Sequence, residues 1–215
     1  LMQRTGVRPY TWPGLVAGAL LVLVPTLPHP GFLVGLLLVV LGAATLDRRS
    51  VEETYPAASS TFFGVVYATA PFALAAHLHS LNPHWLFLPL AISWVGDSAA
   101  YYVGRAIGKR KLAPRLSPGK TWEGTIGSVV LATAFGAAYL HYWIPNVLPA
   151  WALIVLPAAV NVAGQIGDLA ESALKRGAGA KDSGTLLPGH GGALDRMDGS
   201  LFAFPTVYLF LILVG

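Results

Sequence analysis

The 215-residue chain has no cysteine. That excludes a disulfide framework, a thiolate nucleophile and any cysteine-ligated metal. Charge is scarce as well: Asp, Glu, Lys and Arg make up 11% of the residues, where an ordinary soluble domain carries about 25%. Cations are missing from whole tracts, with none between Arg8 and Arg48, between Arg49 and Arg105, between Lys120 and Lys175, or after Arg196. Those tracts are apolar: 54% of the chain is hydrophobic and the mean hydropathy is +0.60. So few charges, clustered between long apolar runs, exclude an ordinary soluble domain and imply an all-α, polytopic integral membrane bundle. A net charge of +4 and a pI near 9.5 would suggest nucleic acid in a soluble protein. In a membrane protein they follow from Lys and Arg collecting in loops on one side, and no nucleic-acid partner is expected.

The apolar runs fall at about residues 11–27, 31–46, 60–76, 85–108, 122–142, 151–174 and 199–215, which predicts seven spans. The first two are near the short end for a crossing. The start, with Arg4 and Arg8, is expected to lead into a span rather than a signal peptide, because no small-residue cleavage site precedes a soluble domain. Trp85 and Trp94 are expected as interface anchors. No internal repeat or long linker divides the chain, so one transmembrane domain over 1–215 is expected.

Charge placement orients the spans. All fourteen Lys and Arg lie in the first, third, fifth and seventh polar segments, and the intervening turns hold five of the six histidines. The positive-inside rule then puts the N-terminus and the glycine-rich segment before the last span in the cytoplasm. His77, His79 and His84 are close together, but no carboxylate or thiolate accompanies them and their spacing fits no standard metal site; an interfacial loop is expected there.

Ionisable residues inside spans are costly and face a cavity or a partner. Asn161, Gln165, Asp168 and Ser172 recur at helical spacing in the sixth span, with Lys175 continuing the stripe into the following loop. Asn161 and Gln165 suit a hydrogen-bonded helix seam as well as a cavity, whereas Asp168 points to a polar cavity. Asp97 shares a face with Ser93 and Tyr101 in the fourth span and is read as lining the same cavity, while Ala100, Gly104 and Gly108 suit close helix packing. Asp195 and Asp198, three apart, would point the same way if helical; Asp198 could also serve only the helix dipole. Asp168 and Asp195 brought together would repel unless a cation lay between them, and Mg²⁺ is the natural candidate. A second cation is left open.

Ser117-Pro-Gly-Lys-Thr-Trp-Glu-Gly124 contains a Gly-Lys-Thr that mimics the end of a P-loop. The glycine a P-loop needs five residues earlier is Pro114, and no strand is expected before it, so that reading is discarded. A Pro-Gly turn entering a helix still offers free N–H donors, and Lys120 adds charge, which suits phosphate. His190, the only histidine expected on the cytoplasmic side, is as well suited to ligand hydrogen bonding as to base catalysis.

Ser172 to Asp198 packs six glycines, four cations, three aspartates and one histidine between apolar segments. Its Ser-x-x-Lys-Arg start, Lys-Asp centre and His-Gly-Gly-x-x-Asp-Arg-x-Asp end resemble the signature of the phosphatidate cytidylyltransferase (CDP-diacylglycerol synthase) family. Ser117–Gly124 and Gly96–Gly104 resemble that family too, and the likeness covers roughly 92–204; members are usually longer, with further spans before the first motif. The resemblance implies that CTP and phosphatidate give CDP-diacylglycerol and pyrophosphate, with both substrates and the membrane lipid as partners. It implies an enzyme of phospholipid biosynthesis in the bacterial inner membrane, its active site facing the cytoplasm; a homodimer is left open. On this reading Asp168, Asp195, Lys175 and Arg176 are catalytic, with Asp168, Asp195 and Asp198 on the metal. Ser117, Lys120, Thr121, Glu123, Lys181, Asp182, His190, Arg196 and Asp97 would bind substrate. The alternatives are a related lipid phosphotransferase, such as a CTP-dependent polyprenol kinase, and an ion transporter using Asp97 and Asp168.

Overall fold

The computed structural model describes residues 6–23, 30–47, 50–184, 192 and 194–214. Each apolar run is a helix: α1 Thr11–Leu23, α2 Pro30–Leu46, α3 Val51–Leu81, α4 Pro83–Ile107, α5 Trp122–Trp143, α6 Ala152–Gly177 and α7 Ser200–Val214. Of these, α3, α4, α5 and α6 are long and apolar enough to cross a membrane, while α1, α2 and α7 are shorter apolar helices. The protein is therefore an all-helical integral membrane protein in its main architecture. Large apolar side chains such as Val130, Leu131, Ile154, Val155, Ile212 and Leu213 face outward, which a soluble surface of this extent would not tolerate.

Three local expectations need correction. First, α3 begins at Val51, well before the apolar run, because Glu52 and Glu53 in its first turn complement the partial positive charge of a helix N-terminus. The helix also carries His77 and His79, so they lie on a helix and not in the expected interfacial loop. Among the described residues no group of three or more His, Cys, Asp or Glu is arranged to hold a metal. His84 Nδ1 instead pairs with the Tyr139 hydroxyl at 2.8 Å, and His77 meets Tyr208 edge-on.

Second, the basic segment between α4 and α5 is an antiparallel hairpin, β1 Lys111–Ala113 and β2 Ser117–Thr121, so a strand does precede Gly119-Lys120-Thr121. It still forms no phosphate loop. Lys120 lies within β2, and Thr121 is the N-cap of α5, its hydroxyl accepting from Gly124 N at 3.2 Å. Third, Trp85 is core rather than an interface anchor, at 5% exposure, packed with Leu88, Ile92, Leu156, Val160 and Phe204.

Close packing of α4 on α5 fixes where the hairpin sits. A Cβ on Gly124 would come 2.7 Å from the Ala100 carbonyl oxygen, and one on Gly127 2.8 Å from Val103. Glycine is required at that crossing, as the small-residue stripe suggested.

Candidate active site

The polar residues of α4, α6 and the segment before α7 converge on one cavity of about 350 Å³. α4 contributes Ser93, Trp94 and Asp97; α6 contributes Asn161, Gln165 and Asp168; Asp195, Asp198 and Gly199 close it, and Lys120 reaches in from β2. Asn161, Gln165 and Asp168 of the α6 stripe and Ser93 and Asp97 of the α4 face share this lining, whereas Ser172, Lys175 and Tyr101 are not part of it. α6 and the α7 junction can come together because Gly167 has no side chain: a Cβ there would lie 2.8 Å from the Asp198 carbonyl oxygen. That contact sets Asp168 beside Asp198.

Each of two carboxylates holds a lysine. Lys120 Nζ lies 2.5 Å from Asp168 Oδ2, both groups partly exposed to the cavity. Lys175, expected in the loop but sited in the last turns of α6, donates to Asp195 Oδ1 at 2.7 Å and to Glu171 Oε2 at 3.1 Å. Asp195 lies in a single 3-10 turn, Leu194–Arg196, and its carboxylate clamps the signature segment. It accepts from Ser183 N at 2.9 Å, Ser183 Oγ at 2.8 Å and Gly192 N at 2.7 Å. Burial works against its charge, but the Lys175 ammonium and these donors hold its carboxyl well below the usual carboxylate range. Asp198 is shifted the other way: burial first, and then the charge of Asp168, push its carboxyl upward despite the 2.7 Å bond from Gly199 N. Asp195 and Asp198 therefore share the cavity, but their bonds diverge.

Asn161 satisfies both readings offered for it. It bonds Ser128 of α5 in both directions, at 3.1 and 3.3 Å, and accepts from Gln165 Nε2 at 2.7 Å, while still lining the cavity. Other expected site residues lie outside it. Ser117 belongs to the hairpin, opposite Ala113. Glu123 accepts from the backbone N–H groups of Lys109 and Arg110, tying hairpin to helix. Thr121 is a cap. Arg176 donates to Ala180 O at 3.4 Å and borders a separate cavity with Pro114, Arg115 and Leu116. Lys181 and Asp182 are exposed. Arg196 has its backbone in the 3-10 turn, and His190 lies outside the described residues.

Sequence reasoning missed Glu171. It is fully buried, anchors Lys175, and its second oxygen is buried without a hydrogen-bond partner in the field of Asp198. The signal was present as a Glu four residues before a Lys on one helix, the favourable order for such a pair.

The acidic lining can be tested against a hard cation. Asp97, Asp168 and Asp198 bring several negative charges into one partly buried space, and Asp198 feels the charge of Asp168 although Lys120 pairs with it. Oxygen donors of this kind suit Mg²⁺, which takes one or two carboxylates and fills its shell with water and phosphate. Asp195 is already committed to Lys175 and the signature segment. Among the described residues no three ligands are preassembled.

Comparison with known proteins gives the family. Residues 8–214 match the sequence profile of the cytidylyltransferase family. The chain belongs to the cytidylyltransferase family. It is 32% identical to the phosphatidate cytidylyltransferase of Staphylococcus aureus (strain COL), over 99% of this chain and 84% of that one. Within the family the likeness rises over part of the chain. It is 50% identical over 123 residues to the phosphatidate cytidylyltransferase of Brucella suis biovar 1 (strain 1330), covering 56% of this chain and 44% of the relative. It is 45% identical over 130 residues to that of Bacillus subtilis (strain 168), covering 60% and 48%. The chain thus spans under half the length of these two cytidylyltransferases.

Proposed function

We propose that this chain transfers the cytidylyl group of CTP to phosphatidate, giving CDP-diacylglycerol and pyrophosphate, as part of phospholipid synthesis. The observation that carries the reading is the cavity where Lys120, Asp97, Asp168, Asp195 and Asp198 meet between α4, α6 and the signature segment. The names of its cytidylyltransferase relatives support nucleotidyl transfer over a polyprenol kinase reading.

The chemistry needs little proton transfer. A phosphomonoester is already largely dianionic at neutral pH, so its oxygen attacks the α-phosphorus of CTP directly; the new P–O bond forms as the bond to the β-phosphate oxygen breaks and pyrophosphate leaves. What the chain must supply is position and positive charge. Lys120, held at the cavity wall by Asp168, is placed to neutralise triphosphate oxygens. Lys175 keeps the signature segment against the cavity through Asp195; Arg176, Lys181 and Arg196 add positive charge along that segment, and Asp182 and His190 offer polar contacts to the bound nucleotide. Ser117, Thr121 and Glu123 act by shaping and fastening the hairpin that carries Lys120. Mg²⁺, held by Asp168 and Asp198, would supply charge neutralisation at the transferred phosphate.

Lys120→Ala is expected to raise the KM for CTP about tenfold or more, the worth of one charge-assisted hydrogen bond, while the KM for phosphatidate stays nearly unchanged. Steady-state kinetics with each substrate varied in turn would show it, and equal shifts in both would contradict a nucleotide role.

We also infer seven spans, with the site facing the cytoplasm of a bacterial inner membrane. Support comes from the fourteen cations in alternate polar segments and the seven apolar helices. Asp182→Cys and Val147→Cys should react with an impermeant thiol reagent from opposite sides of the membrane. Reaction from the same side would break this topology.

A further inference from the structure

A second cavity, of about 620 Å³, opens at the signature-segment end of the bundle. Its walls are Phe63, Tyr67 and Ala68 of α3, Leu174 of α6, Leu194, and Val7 from the N-terminal segment. α3 packs against α1, α4 and α7 but forms no comparable packed pair with α6, and the crevice lies between them. The volume falls in the range of about 300–1,000 Å³ common to small-molecule sites. Ser60, on the same wall, donates to Ala57 O at 3.0 Å and so is satisfied within its own helix. The next residue, Thr61, accepts from Tyr10 N at 2.7 Å, which fastens the Val7 segment over the crevice.

The inner end distinguishes this crevice from an ordinary gap facing lipid. The Tyr67 hydroxyl is buried and has no hydrogen-bond partner. It stands in the electrostatic field of Glu171, Asp198 and Lys175; Asp198 lines the polar cavity, and Lys175 pairs with Asp195 of its wall. Leu174 and Leu194 of the crevice are the chain neighbours of Lys175 and Asp195. An apolar slot with one unused donor at the end nearest a charged site has the polarity sequence of an esterified acyl chain: hydrocarbon, then ester carbonyl, then phosphate. The slot would remove methylenes from water or disordered lipid, and the carbonyl would relieve the unpaired hydroxyl.

We propose that the crevice between α3 and α6 binds one acyl chain of the lipid substrate, with the Tyr67 hydroxyl donating to its ester carbonyl. The proposal rests on the phosphatidate reading and names how that substrate is held.

Two measurements on the intact protein test it. In the first, phosphatidate carrying a diazirine in one acyl chain is photolysed with the protein in nanodiscs, and the adducts are mapped by mass spectrometry. Adducts should concentrate on residues 59–68 and 173–178, and unlabelled phosphatidate should compete with them while phosphatidylcholine does not. Adducts spread over the outward faces of α5 and α6, or equal competition by both lipids, would overturn the site in favour of bulk lipid contact. In the second, Ala68→Phe should raise the KM for dioleoyl phosphatidate about tenfold, what losing about two methylenes of burial is worth, and leave that for dihexanoyl phosphatidate nearly unchanged. Tyr67→Phe, which removes the donor to the ester carbonyl that both lipids carry, should raise the KM for both by about fivefold, the worth of one hydrogen bond, while the KM for CTP holds in both variants. An unchanged KM for the long-chain lipid in both variants would overturn it. Photolabelling needs no turnover, so a protein that forms no product would sink the proposed reaction while the competition experiment still decides the crevice.

Discussion

Asp168→Asn should abolish measurable turnover while leaving the protein folded in detergent. The amide keeps the size of the carboxylate but cannot pair with Lys120 at 2.5 Å or contribute charge to the cavity. If Mg²⁺ is shared along this acidic wall, Asp168→Asn and Asp198→Asn should each cost nearly as much as the double variant, because residues acting as one unit are not additive. A loss of about 10³-fold or more is expected for either, the scale of removing a preorganised electrostatic contact to the transition state. Asp195→Asn should also lose turnover, for a partly different reason: it weakens the clamp on Ser183 and Gly192 as well as the acidic lining. Initial-rate assays beside thermal melts separate these cases. Near wild-type rates in Asp168→Asn would end the shared-metal account, and strict additivity with Asp198→Asn would mean that the two carboxylates act separately.

The second large effect is expected at Lys175, and it should appear as instability. Lys175→Met removes the cation between Glu171, which is fully buried, and Asp195. Stripping one partner from a buried ion pair costs about 3–5 kcal/mol, because the remaining charge is left uncompensated. The substitution should lower the melting temperature in detergent and expose the signature segment to trypsin at Lys181. Adding Glu171→Gln to Lys175→Met should recover part of the melting temperature, since it removes the stranded charge, but should not recover turnover. A melting temperature and cleavage rate equal to wild type would mean that this triad is not what holds the segment.

Much of this was legible in the sequence because hydrophobic runs and helical spacing are local signals. The stripe at Asn161, Gln165 and Asp168, and the separate face at Asp97, do line one cavity, since a costly polar residue in an apolar helix needs a common destination. The hairpin was not legible. Lys111–Ala113 and Ser117–Thr121 are too short to show an alternating pattern, and their pairing is completed by Glu123 fastening the backbone of Lys109 and Arg110 from the helix that follows. The divergence of Asp195 from Asp198 was hidden for a similar reason. Three-residue spacing predicts a shared direction only in a helix, and a 3-10 turn followed by a non-helical junction sends the two carboxylates to different partners. Tyr67 gave no signal, because one tyrosine in an apolar run becomes notable only when its hydroxyl is found buried and unpaired.

The central claim is cytidylyl transfer to a lipid phosphate, and one assay addresses it directly. Purified protein is incubated with CTP labelled in the cytosine ring, phosphatidate and Mg²⁺, and the organic and aqueous phases are counted after extraction. The account predicts a lipid-soluble cytidine product formed one-for-one with pyrophosphate, requiring phosphatidate and absent with Asp168→Asn. Label confined to the aqueous phase, or release of CDP in place of pyrophosphate, would contradict it.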